Sequence, residues 1–116
     1  MRIVEKGWGR EEIWADELGY CGKNMVFTKA GGHCSMHFHR EKDETWLVQS
    51  GEFLLVWIGT FDATKHEKRL LPGDTWRNAP LVPHQLFCVH PGTVVEVSTY
   101  DDPNDNYRVI PGDNQR

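Results

Sequence analysis

No stretch of this 116-residue chain repeats its apolar residues with the 3.6-residue period of a surface helix. What recurs is the short run rich in Val, Trp, Phe, Thr and Leu, punctuated by Gly, Pro, Asp and Asn. Such runs predict strands over Glu12–Ala15, Asn24–Lys29, Ser35–His39, Thr45–Gln49, Glu52–Ile58, Glu67–Leu71, Asp74–Arg77, Gln85–Val89 and Thr93–Tyr100. Turns fall at Ala30-Gly31-Gly32, Ser50-Gly51-Glu52, Leu71-Pro72-Gly73-Asp74 and His90-Pro91-Gly92. About nine strands at roughly ten-residue spacing predict an all-β sandwich or barrel, with residues 1–116 forming a single domain. Phe53 to Ile58 is apolar at every position, so a strand there is covered on both faces. In so small a protein, another subunit could supply the second cover. After Tyr100 the sequence turns polar, which predicts an irregular tail over 101–116, with Tyr107, Val109 and Ile110 pinned to the barrel.

The charge balance narrows the partners. A net charge of −4 with no basic stripe excludes a nucleic-acid binder. Three cysteines, at 21, 34 and 88, do not make a disulfide framework and read as reduced thiols of a cytoplasmic protein. The opening MRIVEKGWGREE is polar, and no apolar run approaches the length of a membrane span. Neither a signal peptide nor a membrane segment is expected.

The chemistry gathers around Gly31–Gly51, GGHCSMHFHREKDETWLVQSG. Side chains alternate faces along a strand, so His37 and His39 point the same way, about 7 Å apart along the chain. Two imidazoles so placed can close on one metal ion. A polar bend, Arg40-Glu41-Lys42-Asp43, lets the next strand return antiparallel and bring Glu44 to the same point. A fourth ligand must come from a distant strand, and His84, after Pro83, is the natural candidate. Three imidazoles and one carboxylate leave open positions on a divalent ion, which a catalytic site needs and a structural site does not. Neutral imidazoles suit Zn, Mn, Fe or Ni, and the ligand set leaves that choice open.

The spacing carries a family signature. Gly31, five residues, His37, one, His39, four, Glu44, six, Gly51 resembles the first motif of the cupins at every fixed position. Gly73, ten residues, His84 keeps the frame of the second cupin motif, although its internal proline falls on Ala79, its glycine on Leu81 and its asparagine on Cys88. The resemblance implies a small double-stranded β-helix, the cupin or jelly-roll barrel, with His37, His39, Glu44 and His84 facing inward on the ion. Met36, Phe38 and Phe87 then face outward by alternation. Such outward apolar residues imply a second sheet or a partner subunit, and a homodimer is expected.

Further stretches resemble the cupin domain of type II mannose-6-phosphate isomerases. They are Lys6-Gly7-Trp8-Gly9, Ser35 to Arg40 with Glu44-Thr45-Trp46, Val95-Glu96-Val97, and Asp105-Asn106-Tyr107-Arg108 with a closing Asp113. This resemblance implies an aldose–ketose isomerase acting on a sugar or sugar phosphate. Glu96 stands alone among Val94, Val95 and Val97. There it is a candidate base whose burial raises its pKa, or a carboxylate facing solvent or an arginine. Arg108 is a candidate for binding a phosphate or polarising an oxygen, or else forms an ordinary salt bridge. Arg40, His66 and His90 read as surface, His33 as rim, Cys34 as pointing away from the histidines, and Cys88, Trp46 and Trp57 as core. Two other functions fit the same ligands: a metal-dependent oxygenase and a non-enzymatic sugar-binding module.

Overall fold

The computed structural model describes residues 1–113. Among them are eleven strands: β1 (Arg2–Lys6), β2 (Gly9–Asp16), β3 (Cys21–Phe27), β4 (Met36–Phe38), β5 (Glu44–Val48), β6 (Glu52–Ile58), β7 (Lys65–Leu70), β8 (Thr75–Asn78), β9 (His84–His90), β10 (Gly92–Ser98) and β11 (Tyr107–Ile110). They form two antiparallel sheets in the orders β1-β2-β3-β10-β5-β8 and β11-β4-β9-β6-β7. No helix among the described residues is long and apolar enough to cross a membrane.

The two inner faces build the core by the alternation visible in the sequence. On β5, Glu44, Trp46 and Val48 are buried while Leu47 is exposed; on β10, Val94 and Glu96 are buried while Val97 is exposed. Each of four strands changes character along this inner row. Phe27 and Met25 give way to Lys23, Val94 to Glu96, Val48 and Trp46 to Glu44, and Cys88 and Leu86 to His84. The barrel therefore has an apolar end and a titratable end. The apolar end is closed by Trp8 stacked on Phe27 at 4.2 Å and by Phe53 set edge-on to Phe27 at 5.0 Å.

Three expectations are corrected. Met36 does not face solvent or a partner but is fully buried. Phe38 is covered by Tyr107, with ring centroids at 5.1 Å, and Phe87 by His33 at 5.1 Å. The chain thus supplies its own second cover there. The tail is irregular over 101–106, but its pinned part, Tyr107–Ile110, is a regular strand: β11 pairs with β4, setting Arg108 opposite His37. Strand β1 had no burial signal, since four of its five residues are exposed. It is held by the ladder to β2 alone.

Two turns show what the backbone demands. At the β5–β6 turn, Gly51 has φ +86°, and a Cβ there would lie 2.6 Å from the His90 carbonyl oxygen. Leu81, where the motif glycine was expected, adopts φ +73°. Its amide donates to the His39 carbonyl at 2.6 Å, tying the loop before His84 to the end of β4. A left-handed leucine costs about 1–2 kcal/mol, and glycine recovers part of this at an entropic cost of about 0.5–1 kcal/mol. Because Leu81 is 56% exposed, little packing is lost on removing it. Leu81→Gly is therefore expected to stabilise the protein by about 1 kcal/mol, read as a higher urea midpoint at unchanged m-value.

Candidate metal centre

His37 on β4 and His84 at the start of β9 face one another in register, with ring centroids 4.6 Å apart. His39 lies just past β4, 5.0 Å from His37, and Glu44 opens β5. One donor atom from each of the four lies within 4.8 Å of the others. Two ligands sharing a transition-metal ion stand at most about 4.2 Å apart. A contraction of about half an ångström thus brings all four onto one ion.

Each imidazole is oriented by a backbone carbonyl. The Nδ1 of His37 lies 2.9 Å from the carbonyl and 2.9 Å from the hydroxyl of Ser35. That of His39 lies 2.6 Å from the Asp105 carbonyl, and that of His84 2.9 Å from the Val82 carbonyl. A carbonyl only accepts, so each Nδ1 carries the proton and each Nε2 turns a lone pair inward. The His84 Nε2 sits 2.9 Å from Glu44 Oε1, yet both atoms are buried without a hydrogen-bond partner. His39 Nε2 is 3.3 Å from the same oxygen. Acceptor facing acceptor is repulsive, and a shared cation reverses the sign. This donor set fits a divalent transition metal.

Behind the histidines lies a cavity of about 350 Å³. Glu96 lines it and is 4% exposed. It is not a lone carboxylate: Oε1 accepts from Trp46 Nε1 at 2.9 Å, and Oε2 accepts from Lys42 Nζ at 3.1 Å with Lys23 Nζ at 3.6 Å. Its partners are lysines and an indole rather than an arginine. Burial, and then the neighbouring Glu44 carboxylate, push Glu96 up to about 7. Burial also opposes ionisation of Glu44, but the Glu96 carboxyl, together with the His84 and His39 rings in their cationic form, holds Glu44 well below the usual carboxylate range. Lys42 belongs to the polar bend, yet its side chain is not in solvent. It is 4% exposed, and burying an ammonium costs several kcal/mol unless it is paired. Glu96 and, at 3.3 Å, Asp101 supply the pairing.

Arg108 also lines the cavity. Three other cations there have acidic partners: Lys6 with Glu11 at 3.9 Å, Lys23 with Glu11 at 2.7 Å, and Lys42 with Glu96. Arg108 has none among the described residues. Cys34 lies on the cavity wall, contrary to the strand-alternation reading, because the chain enters regular β4 only at Met36. Burial raises its thiol to about 12, which leaves it inert as a nucleophile. All three cysteines are free, and Cys88 packs in the core. His33 stands outside the cluster and pairs with Asp113 at 3.1 Å.

No family model matches the sequence, and no curated protein matches it. Solved structures do. The chain is similar to KdgF from Halomonas sp., with a TM-score of 0.76 at 18% identity over 90% of each chain. It is similar to an RmlC-like cupin from Shewanella frigidimarina NCIMB 400, with a TM-score of 0.75 at 20% identity, over 89% of this chain and 86% of that one. It also overlays the oxalate decarboxylase of Lactobacillus farciminis in its formate complex, with a TM-score of 0.80 at 14% identity, over 93% of this chain but 33% of that one.

The fold is that of a cupin.

Within this cupin barrel the candidate ligands carry a pH signature. Burial, and then His84, bring His37 down to about 3 from an ordinary 6.5. Between those values the unfolded chain binds a proton that the folded protein refuses. The stability linked to His37 is therefore full above about pH 6.5 and is lost as pH falls. The loss reaches about 2 kcal/mol at pH 5. Burial also disfavours the His39 cation, but Glu44 raises its pKa overall, so its contribution has the opposite sign and is lost as pH rises. Metal-free wild type is expected to lose stability between pH 7 and pH 5 in urea titrations, with His37→Asn flattening that slope.

Proposed function

We propose that this protein is a metal-dependent aldose–ketose isomerase acting on a sugar or sugar phosphate, with His37, His39, Glu44 and His84 as metal ligands. The observation that carries the reading is that a buried carboxyl, Glu96, and a guanidinium with no acidic partner among the described residues, Arg108, share one cavity with His37, His39 and Glu44 of the four-residue cluster. A divalent ion bound there would polarise a substrate carbonyl and stabilise negative charge on the adjoining oxygens.

The remaining chemistry belongs to the chain. Isomerisation moves a proton between neighbouring carbons and needs a base close to the C–H bond. Glu96 takes the carbon-bound proton from one carbon and returns it to the next, while the hydroxyl proton passes to the former carbonyl oxygen. Trp46 and Lys42 fix its two oxygens, so the carboxyl approaches the substrate in one orientation. Arg108 receives the anionic group, which a bidentate guanidinium holds better than an ammonium. Trp8, buried and on the cavity lining, gives the substrate an apolar wall.

A homodimer is part of the proposal, although the residues that first suggested it are covered within the chain. Its support is the outer face of the six-stranded sheet, where Ile3, Trp14, Leu47 and Val97 are each at least 43% exposed.

The test is proton exchange. Protein loaded with Zn, Mn, Fe or Ni is incubated in deuterated water with free and 6-phosphorylated sugars and followed by NMR. The reading expects aldose–ketose conversion with deuterium at C1 or C2, lost in His37→Ala. No conversion across the panel would contradict it, and oxygen uptake by the iron form would favour an oxygenase.

A further inference from the structure

We propose that Asp105 is a positioning residue for the metal centre, acting through His39 and through the 40–42 bend that leads into Glu44. The inference rests on the metal-binding reading above. Asp105 precedes β11 in the polar tail, where it opens the Asp105–Arg108 stretch but nothing in the sequence assigns it a role. In the fold it is 8% exposed, and both its backbone and its side chain are in use.

The carbonyl of Asp105 accepts the Nδ1 proton of His39 at 2.6 Å. That bond fixes the tautomer that aims Nε2 at Glu44. The carboxylate accepts three consecutive backbone amides: Arg40 at 2.7 Å on Oδ1, and Glu41 and Lys42 at 3.0 Å each on Oδ2. Burial disfavours the Asp105 charge, but these three amides outweigh it and hold the carboxyl below its ordinary range. One residue thus ties together both sides of the ligand step from His39 to Glu44. The carboxylate shapes the bend, the bend holds Asp105 in place, and the held carbonyl orients the ring.

The carbonyl cannot be removed by substitution, but the anchor that places it can. Asp105→Asn replaces one acceptor oxygen with a donor facing amide protons. Asp105→Glu keeps the charge and can keep the amide bonds, but its extra methylene moves the carbonyl away from His39. Two substitutions elsewhere serve as controls. Phe27→Leu opens space at the apolar end of the barrel, far from the ligands. Tyr107→Ala removes the stack on Phe38 without touching His39 or the bend.

The experiment titrates metal-free full-length protein with Zn²⁺ against a chromophoric chelator and records the visible spectrum of the Co²⁺ form. The proposal expects both Asp105 variants to bind Zn²⁺ about 10- to 100-fold more weakly and to show an altered Co²⁺ band. Phe27→Leu and Tyr107→Ala are expected to lower Tm while keeping wild-type affinity and spectrum. Asp105→Glu reports even where Asp105→Asn fails to fold. Asp105 variants that lose only Tm, with affinity and spectrum unchanged, would overturn the proposal and leave the metal reading intact. A wild type that takes up no metal would overturn both.

Discussion

Replacing His84 by alanine is expected to weaken divalent-metal binding by more than a hundredfold. A four-ligand zinc site carries about 10–16 kcal/mol of apparent binding energy. One ligand's share is about 3 kcal/mol, which is more than a factor of a hundred in Kd. The His84 ring is 1% exposed and its Nδ1 is already bound to Val82, so no nearby side chain can replace its Nε2. The thermal consequence follows by linkage. At a thousandfold excess of metal over Kd, wild type gains about 4 kcal/mol, worth on the order of 10 °C or more in a chain this short. His84→Ala loses about 3 kcal/mol of that gain at the same metal concentration. Calorimetric titration and melting curves with and without metal check both numbers. A variant that keeps the wild-type metal-induced shift would remove His84 from the ligand set.

The second large effect concerns Glu96. Changing it to glutamine is expected to cut isomerisation and deuterium exchange by about 10²–10⁴-fold, the usual contribution of a positioned base. Metal stoichiometry should be unchanged, because Glu96 is not among the four clustered donors. Glutamine preserves the volume, and its amide oxygen can still accept from Trp46. The loss in turnover should therefore fall on kcat, alongside a lower Tm because Lys42 keeps only Asp101 as its acidic partner. Lys42→Met is the companion variant. It leaves the base in place but frees its Oε2, so turnover falls while the bell of the pH profile moves. Full activity in Glu96→Gln would assign proton transfer to another group lining the cavity.

The ligand cluster was legible because its geometry is local. Alternation puts His37 and His39 on one face, the short bend returns Glu44, and glycines bracket the first motif and open the second. His84 could be added from the second frame even with Leu81 and Cys88 in place of the usual residues, since spacing survives such changes. What the sequence hid depends on distant or backbone-only contacts. Lys42 sits in a run of charge, and only the folded barrel shows Glu96 and Asp101 closing around it. Asp105 acts through a carbonyl that every residue possesses. Strand β1 has mostly exposed side chains, so its ladder hydrogen bonds left no apolar pattern to read, whereas Tyr107, Val109 and Ile110 marked the segment that forms β11. Met36 is fully buried and Phe38 is covered by the chain's own Tyr107, so neither needs the partner subunit that was one of the two covers expected from alternation. Cys34 was misplaced because alternation was extended past the start of β4 into irregular backbone.

The account's central claim is that three inward-facing Nε2 atoms and the Glu44 carboxylate share one divalent ion. Long-range ¹H–¹⁵N correlation spectra of histidine-labelled protein, recorded across a Zn²⁺ titration, test it most directly. The account predicts that His37, His39 and His84 are all protonated at Nδ1 before metal is added. All three Nε2 resonances should then shift together and saturate at one equivalent, while those of His33, His66 and His90 stay in place. A titration that leaves the three Nε2 resonances unmoved, or that shifts only exposed histidines, would contradict it.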